Sequence, residues 1–178
     1  MAQLIMNWSN DGTGAQMPEI PENVEVFRLP EVENGPEEWL EILRYMEQTE
    51  KPRPDPAIFR KRLLEYPDFE ENLCFFLAVD GEIAATITVI CHREKQQGYI
   101  HMVASKPQFR GRGLGHLLNE IAVYHLKEQG MQTAYLTTDD WRLAAIKTYL
   151  KAGFVPDTES LPEFRERWQA VFQALEHR

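Results

Sequence analysis

Residues 105–118, SKPQFRGRGLGHLL, set three glycines and two arginines immediately before an apolar, helix-like run. That combination suits the capture of an anion. The first turn of a helix carries backbone N–H groups without partners and the positive end of the helix dipole. Glycines let oxygens approach the backbone closely, and Arg110 and Arg112 add charge-assisted donors. The turn therefore reads as a phosphate cradle. Two phosphate motifs fit it poorly. A P-loop needs Gly-Lys-Ser/Thr after four intervening residues, and no Lys-Ser/Thr pair follows these glycines. The dinucleotide fingerprint needs G-x-G-x-x-G, whereas Gly111, Gly113 and Gly115 are spaced G-x-G-x-G.

A cradle of this kind needs a strand to enter it and a helix to leave it. LCFFLAV (73–79), IAATITVIC (83–91) and YIHMVAS (99–105) read as three consecutive strands with short connections, hence antiparallel. The following helix carries Leu114, Leu117, Leu118, Ile121 and Ala122 on one face and closes near Gly130. TAYLTT (133–138) is the next strand, RLAAIKTYLKAG (142–153) a helix, FVPD the start of a last strand, and 161–178 a terminal amphipathic helix. Upstream, VEVFRLP (24–30) reads as a strand. Residues 35–48 and 55–67 read as amphipathic helices, the second capped by Asp55 with Pro56 at its first position. The order β-α-α-β-β-β-α-β-α-β with a C-terminal helix implies an α/β (α+β, mixed-sheet) fold with helices on the sheet faces.

Length and composition bound the rest. A chain of 178 residues with 43% hydrophobic content buries one sizeable core. Residues 24–178 read as a single domain, preceded by a lead-in over 1–23 in which LIMNW has room for a short extra strand. With 19 Lys+Arg against 28 Asp+Glu the net charge is -9, which repels nucleic acid and anionic membranes, so any anion site must be local. Cys74 and Cys91 both lie in apolar, β-rich runs, so two buried thiols are expected and no metal site. No run approaches the ~18 apolar residues of a membrane span, and MAQLIMNW lacks the marks of a signal peptide. A soluble cytoplasmic protein, monomer or homodimer, is the expectation.

The spacing R/Q-x-x-G-x-G/A is matched in full by Arg110-Gly111-Arg112-Gly113-Leu114-Gly115. It follows a meander strand and Lys-Pro, and precedes YLTTDDWRLAAIKTYLKAGF, a strand, short loop and helix ending in Gly-Phe. In these features the chain resembles the GCN5-related N-acetyltransferase (GNAT) superfamily over about residues 24–156. The resemblance implies a GNAT-like fold and transfer of an acetyl group from acetyl-CoA, as co-substrate, to an amine-bearing acceptor in a ternary complex.

It also implies roles. The backbone N–H groups from Arg110 through His116 would hold the pyrophosphate, and backbone groups near Val103 and Ser105 the pantetheine arm. A strand N–H, that of Val103, would polarise the thioester carbonyl. Tyr149 would protonate the departing thiolate. His101, two residues before Val103 and with a suitable unperturbed pKa, is the first candidate for the base. Arg142 stands where many members have Asn, and an arginine cannot reproduce an amide's paired donor and acceptor, so it is assigned to a cofactor phosphate instead. Asp139 and Asp140 can receive a cationic amine or form a solvated loop pair. The rival to catalysis is a CoA-binding sensor or interaction module.

Overall fold

Apolar residues at consecutive positions fill the strand read at 73–79, because both faces of that strand are covered. A computed structural model describes residues 2–46 and 55–177. Its strands are β1 (Leu4–Ser9), β2 (Val24–Arg28), β3 (Cys74–Val79), β4 (Glu82–His92), β5 (Gln97–Ser105), β6 (Thr133–Thr138) and β7 (Val155–Pro156). Its helices are α1 (Gly35–Met46), α2 (Pro56–Phe59), α3 (Leu114–Glu128), α4 (Leu143–Lys151) and α5 (Phe164–Glu176). The strands form one mixed sheet in the order β2-β3-β4-β5-β6-β1-β7. Among the described strands β5 and β6 run parallel, and the other pairs are antiparallel.

The sheet separates two cores. On one face Phe75, Leu77, Ile87 and Val89 pack with Leu118, Ile121, Ile146 and Trp168 of α3, α4 and α5. On the other, Cys74 and Phe76 meet Trp39, Ile42 and Leu43 of α1 and Phe59 and Leu63 of the second helical segment. The β3–β4 hairpin turns on Asp80 and Gly81, both at positive φ, which suits the right-handed twist of the paired strands.

The lead-in is built into this sheet. Leu4, Met6 and Trp8 are buried at every second position, so β1 inserts between β6 and β7 with one face on the core. Helix α1 is followed to Met46; the last two residues of the expected 35–48 helix lie outside the described residues. The expected 55–67 helix is shorter and irregular. Asp55 caps it through Ala57 N–H at 2.8 Å, as its sequence implies, but α2 passes into a π-helical turn at Arg60–Leu64 and stops before Pro67. The terminal helix begins at Phe164, three residues later than expected.

Candidate active site

Two strands part at the middle of the sheet. β5 and β6 pair only over Gln97–Ile100 and Thr133–Leu136. β6 then continues against β1 to Thr138, while β5 keeps β4 alone as its neighbour. A bulge accompanies the parting. His101 pairs with Thr88 and Ala104 with Thr86, so Met102 and Val103 together oppose Ile87. Met102 takes φ of +57°, a left-handed conformation that costs a non-glycine residue about 1 kcal/mol. Such a bulge bends and twists its strand, and here it takes Val103 out of register with β4.

The end of β5 is anchored by Lys106, only 8% exposed, whose ammonium pairs with Glu38 of α1 at 2.9 Å. The chain then enters the glycine turn. Gly111 and Gly113 have φ of +77° and +79°, and nothing lies within 4 Å of where a Cβ would stand. The backbone needs glycine at both positions, and the space beside it is open. Helix α3 starts with Leu117 N–H donating to Gly113 O at 3.1 Å. Among the described residues, the N–H groups of Leu114, Gly115 and His116 have no acceptor. Arg110 donates to Tyr45 O at 3.4 Å, and the Arg112 guanidinium lies 5.3 Å from the Phe109 ring centre. A cavity of about 490 Å³ runs from this turn past Ser105 and Trp141 to Val103, Arg142 and Tyr149.

A second cavity, of about 440 Å³, shares those last three residues and is walled by Lys61, Tyr66, Tyr99 and His101. Tyr149 stands at the junction, 6% exposed, on α4. Burial pushes its phenol up to about 12, against the opposing pull of Arg142, so the hydroxyl stays protonated at neutral pH. His101 is held by an unusual acceptor. In the π-turn Glu65 N–H bonds Arg60 O and Tyr66 N–H bonds Leu63 O, and Pro67 has no N–H, so the backbone here departs from the α-helical pattern beside the Arg62 carbonyl. His101 Nε2 lies 2.9 Å from that carbonyl oxygen. A carbonyl only accepts, which puts the hydrogen on Nε2 and the lone pair on Nδ1. Nδ1 is buried and has no partner among the described residues. Burial lowers the pKa of the ring despite the Arg62 bond, so the imidazole is neutral at physiological pH. Tyr66 covers His101 with ring centres 4.6 Å apart, and Tyr99 stacks on Tyr135 at 4.7 Å.

Most of the residues singled out from the sequence thus border these two cavities. Ser105, Arg110, Gly111, Gly113, Leu114, Gly115 and His116 line the first, Val103, Arg142 and Tyr149 both, and His101 the second; Arg112 borders a further groove across the turn. Arg142 Nε is held by Asp139 at 3.0 Å, and its guanidinium stacks 4.7 Å from the Trp141 ring centre. The two loop acids are occupied. Asp139 accepts from Arg142 and Gln3, and Asp140 from both Nε and Nη2 of Arg167, and neither is among the residues that line the two cavities. Sequence reading missed Tyr45, Tyr66, Tyr99 and Trp141 as lining residues. For Tyr99 the signal was present: in a strand it shares a face with His101 two positions on.

Residues 37–154, from the first turn of α1 to the residue before β7, match the family described as Acetyltransferase (GNAT) family. The chain belongs to the GNAT acetyltransferase family. Mycothiol acetyltransferase of Streptomyces coelicolor is 38% identical over 82 residues, which is 46% of this chain and 26% of that protein. The corresponding protein of Nocardia farcinica is 39% identical over 67 residues, 36% of this chain and 22% of its own. The match thus spans about a quarter of the length of these curated relatives. Among solved structures, a GCN5-related N-acetyltransferase from Sphaerobacter thermophilus superposes with a TM-score of 0.66 at 18% identity, over 88% of this chain and 50% of that one. The ribosomal-protein-S18-alanine N-acetyltransferase of Escherichia coli superposes with 0.60 at 20% identity, over 76% and 79%. At those identities the likeness is one of fold, and the mixed seven-stranded sheet with flanking helices is the GNAT architecture.

Proposed function

We propose that the protein transfers an acetyl group from acetyl-CoA to a primary amine by direct attack in a ternary complex. The observation that carries this reading is the meeting of two cavities at Val103, Arg142 and Tyr149, one leading to the glycine turn and the other to His101. The names of the mycothiol acetyltransferases and of the alanine N-acetyltransferase among its relatives support the reaction class.

The residues of the first cavity fit coenzyme A. Unpartnered N–H groups of Leu114, Gly115 and His116 at a helix N-terminus would hold its pyrophosphate, with open clearance beside Gly111 and Gly113 and added charge from Arg110 and Arg112. Ser105 and Arg142 would border the rest of the cofactor. When bound, it supplies the acetyl thioester. Val103 N–H would donate to the developing oxyanion, a contribution of about 3 kcal/mol in comparable sites. His101 Nδ1 would take the proton that the attacking amine sheds, while the Tyr149 hydroxyl gives its proton to the departing sulfur. Nδ1 is closed to solvent, and His101 borders the second cavity, through which the acceptor would reach it. A reducing cytoplasm accords with the two unpaired, buried cysteines. Among the described residues no helix is long and apolar enough to cross a membrane.

Calorimetric titration with acetyl-CoA tests the cofactor half. Micromolar binding, about -8 kcal/mol, is expected, unmatched by ATP and lost in Gly113→Glu, where a side chain would be strained by the left-handed backbone and would put negative charge into the cradle. Absence of acetyl-CoA binding by the unaltered protein would overturn the reading.

A further inference from the structure

Resting on that reading of acetyl transfer, we infer that the second cavity takes a free amino acid, its carboxylate at Lys61 and its side chain against Tyr66 and Tyr99. Among the described residues the charged side chains that line the cavity are Lys61, Arg62 and Arg142; no Asp or Glu lines it. Arg142 is offset by Asp139 at 3.0 Å. Lys61 has no carboxylate partner among the described residues, and it is an exposed residue of the lining, which puts it at the mouth.

A polyamine or aminosugar would bring further positive charge into this lining. Among the described residues, Asp139 and Asp140, the acids beside Arg142 in the chain, accept from Arg142 and Gln3 and from Arg167 and do not line the cavity. An amino acid instead brings one negative group for Lys61. The volume of about 440 Å³ lies within the range of small-molecule sites. Tyr66 and Tyr99, with ring centres 5.9 Å apart, present a flank on which an aromatic or branched aliphatic side chain can pack.

The test is the rate of acetylation of matched pairs, phenylalanine against phenylalaninamide and leucine against leucinamide, with spermidine and glucosamine alongside. The amide's amine is the less basic and the more available as free base, so a preference for the acid reports on the carboxylate. At least a tenfold higher kcat/KM for the acid is expected, falling to parity or reversing in Lys61→Glu, an exposed substitution whose acetyl-CoA affinity is measured in parallel as a check on folding. Amides, spermidine or glucosamine acetylated as well as the acids would overturn the inference while leaving acetyl transfer intact. So would acetyl-CoA binding without acetylation of any amino acid. A preference for the acid that survives Lys61→Glu would overturn the assignment of the carboxylate to Lys61. Failure to bind acetyl-CoA at all would sink the parent reading and this one with it.

Discussion

At the scale of single residues, chemistry depends on which proton sits where. Burial holds Tyr149 protonated and His101 neutral, opposite consequences of one cause, because desolvation penalises whichever form is charged. Tyr149→Phe is expected to lower kcat by about 10²-fold, the scale of general acid catalysis, and to leave the acetyl-CoA Kd nearly unchanged; an equal loss in both would assign Tyr149 to binding. The pKa of His101 lies below 6.5, so kcat/KM limited by this base falls only on the acid side of that value. His101→Gln is expected to abolish that acid limb, measured as a pH–rate profile with one acceptor. Trp141 offers a direct optical reading. It is 59% exposed on the wall of the cofactor-sized cavity, whereas Trp8, Trp39 and Trp168 are buried. Acetyl-CoA should quench a fluorescence component that Trp141→Phe removes, and an unaltered quench in the variant would place the cofactor elsewhere.

At the scale of elements, three local irregularities shape the site. The Met102 bulge takes Val103 out of register, the π-turn before Pro67 carries the Arg62 carbonyl that His101 meets, and two left-handed glycines open the first turn of α3. Each breaks a regular hydrogen-bond pattern, and each lies where a cavity begins. Strand β1 contributes differently. It carries no candidate catalytic group, but it pairs with β6 from Thr133 to Thr138 on the edge opposite β5, and so keeps β6 in the sheet after β5 has parted from it. Met6, fully buried in β1, tests this. Met6→Ala should cost about 2–5 kcal/mol by denaturant unfolding, and a change near zero would mean that β1 is dispensable to the domain.

At the scale of the whole molecule, the fold responds to pH through imidazoles held partly or wholly out of water. His125 stacks on Phe75 at 4.4 Å, and burial, aided by Arg28, lowers its pKa to about 4. The unfolded chain keeps the ordinary value near 6.5, so between those two values it binds more protons than the native state. Stability contributed by the neutral ring is therefore whole above pH 6.5 and is lost as the pH falls toward 4, with His101 acting in the same sense. His125→Phe keeps the stacking and should flatten the dependence of unfolding free energy on pH across that window. An unchanged slope would assign the acid sensitivity to other groups.

What the amino-acid order determined by itself was whatever depends on near neighbours in the chain. The periodicities of 2 and 3.6 laid out the meander, α3 and α4, and Asp55-Pro56 marked the start of α2. The glycine turn was equally legible, because left-handed backbone, bare N–H groups and a helix start all arise within eight residues. The order of strands was not. That β1 sits between β6 and β7, and that β5 parts from β6 after Ile100, follows from pairings between segments more than a hundred residues apart or between strands that share an edge for only four residues. The lining of the second cavity belongs to the same class. Lys61, Tyr66, Tyr99 and Tyr149 are scattered along the chain, and their meeting is decided by close packing of helices on a twisted, bulged sheet, a property of the folded whole that no local pattern encodes.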